Sequence, residues 1–193
     1  MQIPIQTSII IKHAETKEEL EQILILQDKN HVQSLSFEVK KTNGFVTVRH
    51  NLELLTKMSS AAQQIIAIDN DVVVGYALVM LKKFKEMIPV LIPMFEMFNN
   101  LEYNQRLLKD LKYYVMGQIC IAETHRGQGI FEALYAKHKE VFSDKFDICL
   151  TEVSVNNTRS MKAHHKIGFN TVHSFEDETD VWNILLWDWQ KEQ

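Results

Sequence analysis

A chain of 193 residues, 46% hydrophobic and with only three prolines, can bury a sizeable core and is too apolar to be disordered, so residues 1–193 are read as one domain. Its 21 basic and 25 acidic side chains leave a formal charge of -4, which argues against nonspecific binding to nucleic acid or a membrane surface. No apolar run reaches the roughly eighteen residues a membrane span needs and no leader pattern precedes residue 10, while Cys120 and Cys149, lacking CxxC spacing, read as buried thiols and not as a zinc site; the expected compartment is the cytoplasm.

SIIIKHA, residues 8–14, has the pattern of a short strand. Thr16 and Glu19 then have the spacing of a capping box, in front of a helix with Leu20, Ile23, Leu24 and Gln27 on one side. A second helical pattern begins near Asn51. Residues 64–81 read as two strands joined by a tight turn at Asp69 to Asp71, an antiparallel hairpin. Residues 83–112 form a long connection, read as an inserted helical segment; its methionines and phenylalanines around Pro89 and Pro93 suit core, a lid or the face of a homodimer. Part of it is expected to wall one side of the site. YYVMGQICIA, residues 113–122, is a strand with Gly117 inside it, and an interior strand glycine commonly marks a bulge or a close backbone approach. An amphipathic helix follows from Ile130, then the strand DICLTEVSV, a helix closed by Gly168, and two more strand-like runs in which Trp182, Trp187 and Trp189 read as core and edge packing. The order is that of a mixed α/β chain.

Between the strand at 113–122 and its helix lies RGQG, which takes two of the six glycines in the chain. A strand that feeds a glycine-rich turn opening a helix presents free amide N–H groups and the positive end of the helix dipole, a setting for phosphate or pyrophosphate. The P-loop and dinucleotide-fold patterns are both absent. A plain strand-to-helix turn with an exposed arginine is the alternative.

RGQGIF resembles the acetyl-CoA signature Q/R-x-x-G-x-G/A of the GNAT superfamily of N-acetyltransferases, with Arg126 first, Gly129 fourth and Phe131 in place of the small sixth residue. NNTRSMKAHHKIGF is similar to a second element of that family, with Asn157, Lys166, Gly168 and Phe169 in register and His164 where a tyrosine is usual. The resemblance implies an α/β GNAT fold: a mixed central sheet of about seven strands flanked by helices, with a helical insertion between the third and fourth strands. It further implies acetyl-CoA as cosubstrate, its pyrophosphate on the backbone of Arg126, Gly127, Gln128, Gly129, Ile130 and Phe131. The pantetheine arm would lie along Gln118, Ile119, Cys120 and Ile121 and be hydrogen-bonded by Asn157. The amine acceptor stays unidentified.

Acyl transfer to an amine needs a base for the ammonium, a donor for the oxyanion and an acid for the thiolate. Glu152 is the candidate base, at the position where some family branches carry a glutamate, and strand alternation puts it with Ile148, Leu150 and Ser154, a face that would raise its pKa. A salt-bridged rim glutamate is the bland alternative. His164 is the candidate acid, against a histidine that merely packs. The strand N–H near Ile119 and Cys120 is the candidate oxyanion donor. Two other readings stay open: a non-catalytic acyl-CoA-binding sensor or interaction module of the same fold, which the Phe131 and His164 departures permit, and an unrelated phosphate-binding α/β enzyme.

Overall fold

A computed structural model describes residues 9–36 and 45–190. The expected strand forms as β1, Ile10–His13, and the capping box is present before α1, Lys17–Asn30. Thr16 Oγ1 accepts from the Glu19 amide at 3.1 Å, and Glu19 Oε2 accepts from the Thr16 amide at 3.1 Å. Such a cap contributes about 1 kcal/mol. The buried side of α1 holds Leu20, Ile23, Leu26, Gln27 and Asn30, while Leu24 is only partly covered. Asn51 caps α2, Leu52–Ala61, through its side-chain oxygen.

The hairpin is β2, Ile65–Asp69, and β3, Val72–Met80, joined by Asn70 and Asp71, both at positive φ (48° and 62°), as a two-residue turn that follows the twist of its strands requires. Residues 83–112 are only partly helical. They hold 3₁₀ turns, α3 (Ile92–Phe98) and the two-residue strands β4 (Glu102–Tyr103) and β5 (Arg106–Leu107). Then come β6 (Tyr113–Ile121), α4 (Ile130–Phe142), β7 (Ile148–Ser154), α5 (Thr158–Lys166), β8 (Asn170–Glu176) and β9 (Val181–Asp188).

Seven strands form one sheet in the order β1-β2-β3-β6-β7-β9-β8. Every neighbouring pair is antiparallel except β6 with β7, which are joined by the α4 crossover. On one face α4 and α5 cover Ile65, Ala67, Val79, Tyr114, Cys149 and Leu185. On the other, α1 covers Ile66, Tyr76 and Leu78, and the insertion places Phe84, Met94, Phe95, Phe98 and Leu108 over Tyr113, Ile148, Leu150 and Ile184. The apolar density of the insertion is thus used to cover the sheet. Trp187 and Trp189 are buried in the layer beneath α4. Both thiols are buried and unpaired, and burial pushes each up to about 12. Among the described residues no helix is long and apolar enough to cross a membrane.

Candidate active site

Two irregularities in β6 create the site. Gln118 pairs with Leu78 and Met116 with Val79, so Gly117 is an extra residue on β6, a bulge. A Cβ there would stand 3.1 Å from the Met80 Cβ, tighter than ordinary packing. A bulge holds the extra residue outside the alternation, so the faces continue while odd and even positions exchange them. Tyr113 and Val115 therefore face the insertion and Gln118 and Cys120 face α1, while Tyr114, Met116, Ile119 and Ile121 face α4.

The second irregularity is a split. β6 and β7 pair only at Tyr113–Ile148, Tyr114–Cys149 and Val115–Leu150, and the Thr151 hydroxyl donates to the Met116 carbonyl at 3.1 Å where the split begins. Beyond that point the facing edge of β6 is unpaired. Because the Ala122 amide bonds the Val74 carbonyl on β3, antiparallel alternation gives the Cys120 amide to β3 and turns those of Ile119 and Ile121 to the open edge. Of the two residues named for an oxyanion donor, Ile119 is the one so placed.

β6 runs into the turn that opens α4. Gly127 and Gly129 sit at φ 77° and 78°, a region other residues enter only with strain, and a Cβ on either would meet nothing within 4 Å. Their need is conformational, and the space before them is open. No side chain caps α4, so its first amides remain available to an anion. Arg126 is held in place beside the turn: its Nε donates to the Ile121 carbonyl at 3.2 Å and its Nη2 to Asn30 Oδ1 at 2.7 Å. The side chain of Gln128 bonds back to the Thr124 carbonyl.

A cleft of about 470 Å³ opens between this turn and α5, lined by Asn30, Val46, Ile119, Gly127, Gly129 and Asn157 among others. Arg159, Lys162 and Lys166 add cationic side chains to its rim. Asn157 has both side-chain groups engaged: Oδ1 caps α5 through the Ser160 amide, and Nδ2 donates to the Phe45 carbonyl at 3.2 Å. Phe45 and Val46 border this cleft and also a smaller chamber of about 70 Å³, and so stand between the two. Sequence reading missed this pair, although the segment does carry a signal: Val46 and Val48 alternate with Thr47 and Arg49 at the period of a strand, where no strand forms. None of residues 83–112 lines either space, so the expected wall comes from residues 45–47 instead.

Glu152 and His164 both reach the smaller chamber, with Gln118, Thr151, Ser154 and Trp182. Glu152 Oε2 is buried without a hydrogen-bond partner, and burial, helped by the negative charge of Asp177, lifts its carboxyl from 4.5 to about 7. His164 is sealed, at 1% exposed. Its Nδ1 lies 2.8 Å from the Ser160 carbonyl, which can only accept, so Nδ1 carries the hydrogen and Nε2 accepts from the Tyr135 hydroxyl at 2.7 Å. Burial holds this neutral ring down at about 4. The Phe131 ring meets His164 edge-on at 5.1 Å, so the two departures from the family motifs touch each other. Gln118 turns its side chain toward α1, where Gln27 Nε2 at 2.7 Å and the Tyr76 hydroxyl at 2.6 Å both donate to its Oε1.

The sequence matches the family model for the acetyltransferase (GNAT) family over residues 34–169. No curated protein matches the chain by sequence. Among solved structures, the NatC complex bound to Gag peptide and CoA superposes at TM-score 0.64 with 12% identity, covering 93% of this chain and 98% of that one. The ribosomal-protein-S18-alanine N-acetyltransferase from Escherichia coli gives 0.62 with 12% identity and 94% of each chain. Arabidopsis thaliana Naa50 in complex with the bisubstrate analogue CoA-Ac-MVNAL gives 0.60 with 17% identity, covering 93% and 97%. At these identities the likeness is one of fold.

Proposed function

The chain belongs to the GNAT acetyltransferase family, and from that premise we propose that its cleft takes acetyl-CoA and that the acetyl group passes to a primary amine by direct attack in a ternary complex. The observation that carries this reading is the junction of two features: an uncapped helix start behind two positive-φ glycines, and a strand edge left unpaired beside it. The residues fit the cosubstrate, since the turn leaves its space open and the cleft beyond it is large enough for an extended chain. CoA bound to NatC and the CoA-based analogue bound to Naa50 support the assignment.

When bound, acetyl-CoA supplies an activated carbonyl. The amides of residues 127–131 and the dipole of α4 hold the diphosphate, and the cationic rim of α5 adds attraction. The Ile119 N–H donates to the carbonyl oxygen as negative charge develops there. Glu152, with a midpoint near neutrality, takes the proton of the acceptor ammonium at its unpartnered Oε2. His164 can give its Nδ1 proton to the leaving thiolate only by releasing the Ser160 carbonyl, which makes water the easier source. The peptide on NatC and the CoA-Ac-MVNAL analogue on Naa50 make peptide amines the first acceptors to try.

The sealed His164 ring also favours a second reading, a module that binds acyl-CoA without turning it over. Incubating the protein with acetyl-CoA and a panel of peptide and small-molecule amines while following free CoA thiol separates the two. Amine-dependent thiol release supports transfer; CoA binding with no release across the panel supports the module.

A further inference from the structure

Asn30, at the last position of α1, is buried, borders the large cleft and joins three chain segments. Its Oδ1 accepts from Arg126 Nη2 at 2.7 Å, its Nδ2 donates to the Leu26 carbonyl at 2.9 Å, and its backbone carbonyl accepts from the Val46 amide at 3.1 Å. The bonds continue round the cleft: the Val46 carbonyl accepts from Val32 at 2.8 Å, and the Phe45 carbonyl takes the Asn157 side chain at the start of α5. The turn at 126–129 and the pair Phe45–Val46 lie 80 positions apart in sequence, counted from Arg126 to Val46, and are joined at this residue, whose side chain holds Arg126 and whose backbone carbonyl holds Val46.

We propose that Asn30 is a positioning residue that couples the anion-binding turn to the Phe45–Val46 strap, so that filling the cleft fixes the strap separating the two chambers. The proposal rests on the reading of the large cleft as the CoA site. Arg126 is the other half of the device. With its guanidinium bonded to Asn30 and to the Ile121 carbonyl, it braces the first residue of the turn against β6 and α1 at the wall of the cleft. A charge-assisted bond of this kind holds position better than a neutral one. The consequence is an order of events: the donor settles the turn, the turn settles Asn30, and Asn30 settles the wall that the acceptor meets.

Hydrogen exchange over residues 45–50, measured with and without CoA in the parent, Asn30→Ala and Asn30→Asp, tests this. In the parent CoA should slow exchange there at least about tenfold, and its Kd should rise about tenfold in Asn30→Ala, the loss expected for one charge-assisted bond. In Asn30→Ala the CoA-dependent protection at 45–50 should largely disappear. Asn30→Asp still accepts from Arg126 and should keep the protection, although its own charge opposes an anion, so rescue is read in exchange and not in affinity. Should the alanine variant fail to fold, Asn30→Ser, too short for Arg126, takes its place. Equal protection in Asn30→Ala and the parent, or equal loss in the Ala and Asp variants, overturns the coupling. If the parent binds no CoA, the cofactor reading fails by itself. The ligand-free proteins then decide: faster exchange at 45–50 in Asn30→Ala than in Asn30→Asp supports the coupling, and equal rates overturn it.

Discussion

Replacing Glu152 with glutamine keeps the shape of the side chain and removes its charge. Burial first, and Asp177 second, lift this carboxyl from 4.5 to about 7. Ionising it in the folded chain then costs about 3 kcal/mol more than in the unfolded chain. Between those two midpoints the folded state keeps a proton that the unfolded state gives up. Stability from this group is therefore complete below 4.5 and is lost as pH rises through about 7. Glutamine suffers no such loss, so the stability advantage of Glu152→Gln should grow by about 2 to 3 kcal/mol between about pH 5 and about pH 8.5. Urea midpoints with an unchanged m-value measure it. Turnover should move the other way, falling on the order of a hundredfold, with loss of the limb on which parent kcat/KM rises about tenfold per pH unit below neutrality. A constant stability difference together with an unaltered pH–rate limb would mean that the carboxylate is solvated and ionised throughout and that the base lies elsewhere.

Gly129→Val forces a β-branched residue to φ 78°, so it should cost about 1 to 3 kcal/mol and abolish the rise in melting temperature that CoA gives the parent; a full CoA-dependent rise in the variant refutes the amide cradle. His50, His138 and His164 are held neutral by burial, with midpoints lowered from 6.5 to about 4, 3 and 4. Each favours the folded state above 6.5 and loses that contribution as pH falls toward its folded midpoint, at up to about 1.4 kcal/mol per pH unit, with Glu152 opposing one of the three. Urea unfolding should therefore show stability falling steeply from pH 6.5 to about pH 4.5, and a flat profile would show that the rings are solvated. His164→Ala empties a space among Phe131, Tyr135 and Phe169 and should cost about 2 to 4 kcal/mol while lowering turnover less than about tenfold; a hundredfold loss in the folded variant would make the ring a proton donor after all.

Local chemistry made much of the fold legible. The Thr16–Glu19 box, the Asn51 cap and the Asn70–Asp71 turn each satisfy their own backbone within four residues, so a short window of sequence contains the whole reason for them. Gly117 and the RGQG turn announced a bulge and a left-handed turn because few residues other than glycine can occupy those positions, and open space at Gly127 and Gly129 shows conformation, not crowding, to be the cause of the latter. Interactions across long stretches of chain were not legible. His164 could be placed in the family register, but the Tyr135 hydroxyl that occupies its Nε2 is 29 positions away. The role of Asn30 depends on Arg126, 96 positions on, and the Phe45–Val46 strap lies in a segment whose strand-like alternation forms only a single bridge, to His31. In residues 83–112, apolar density alone could not distinguish a lid from a layer of core, and packing against Ile148 and Leu150 decides for core.

The bulge absorbs Gly117 as a duplex absorbs a single looped-out base. Upstream, odd positions look toward the insertion; downstream, even positions look toward α1 on the same face of the sheet, because the glycine stands outside the alternation. Deleting it would make Met116 and Gln118 consecutive opposite Val79 and Leu78, so every remaining side chain would keep its face and Gln118 its bonds with Gln27 and Tyr76. What would go is the local bend and added twist that the bulge gives β6 where it leaves β7. This strand can therefore lose a residue at Gly117 with its core intact, and the cost of the loss would fall on the open edge beside β7.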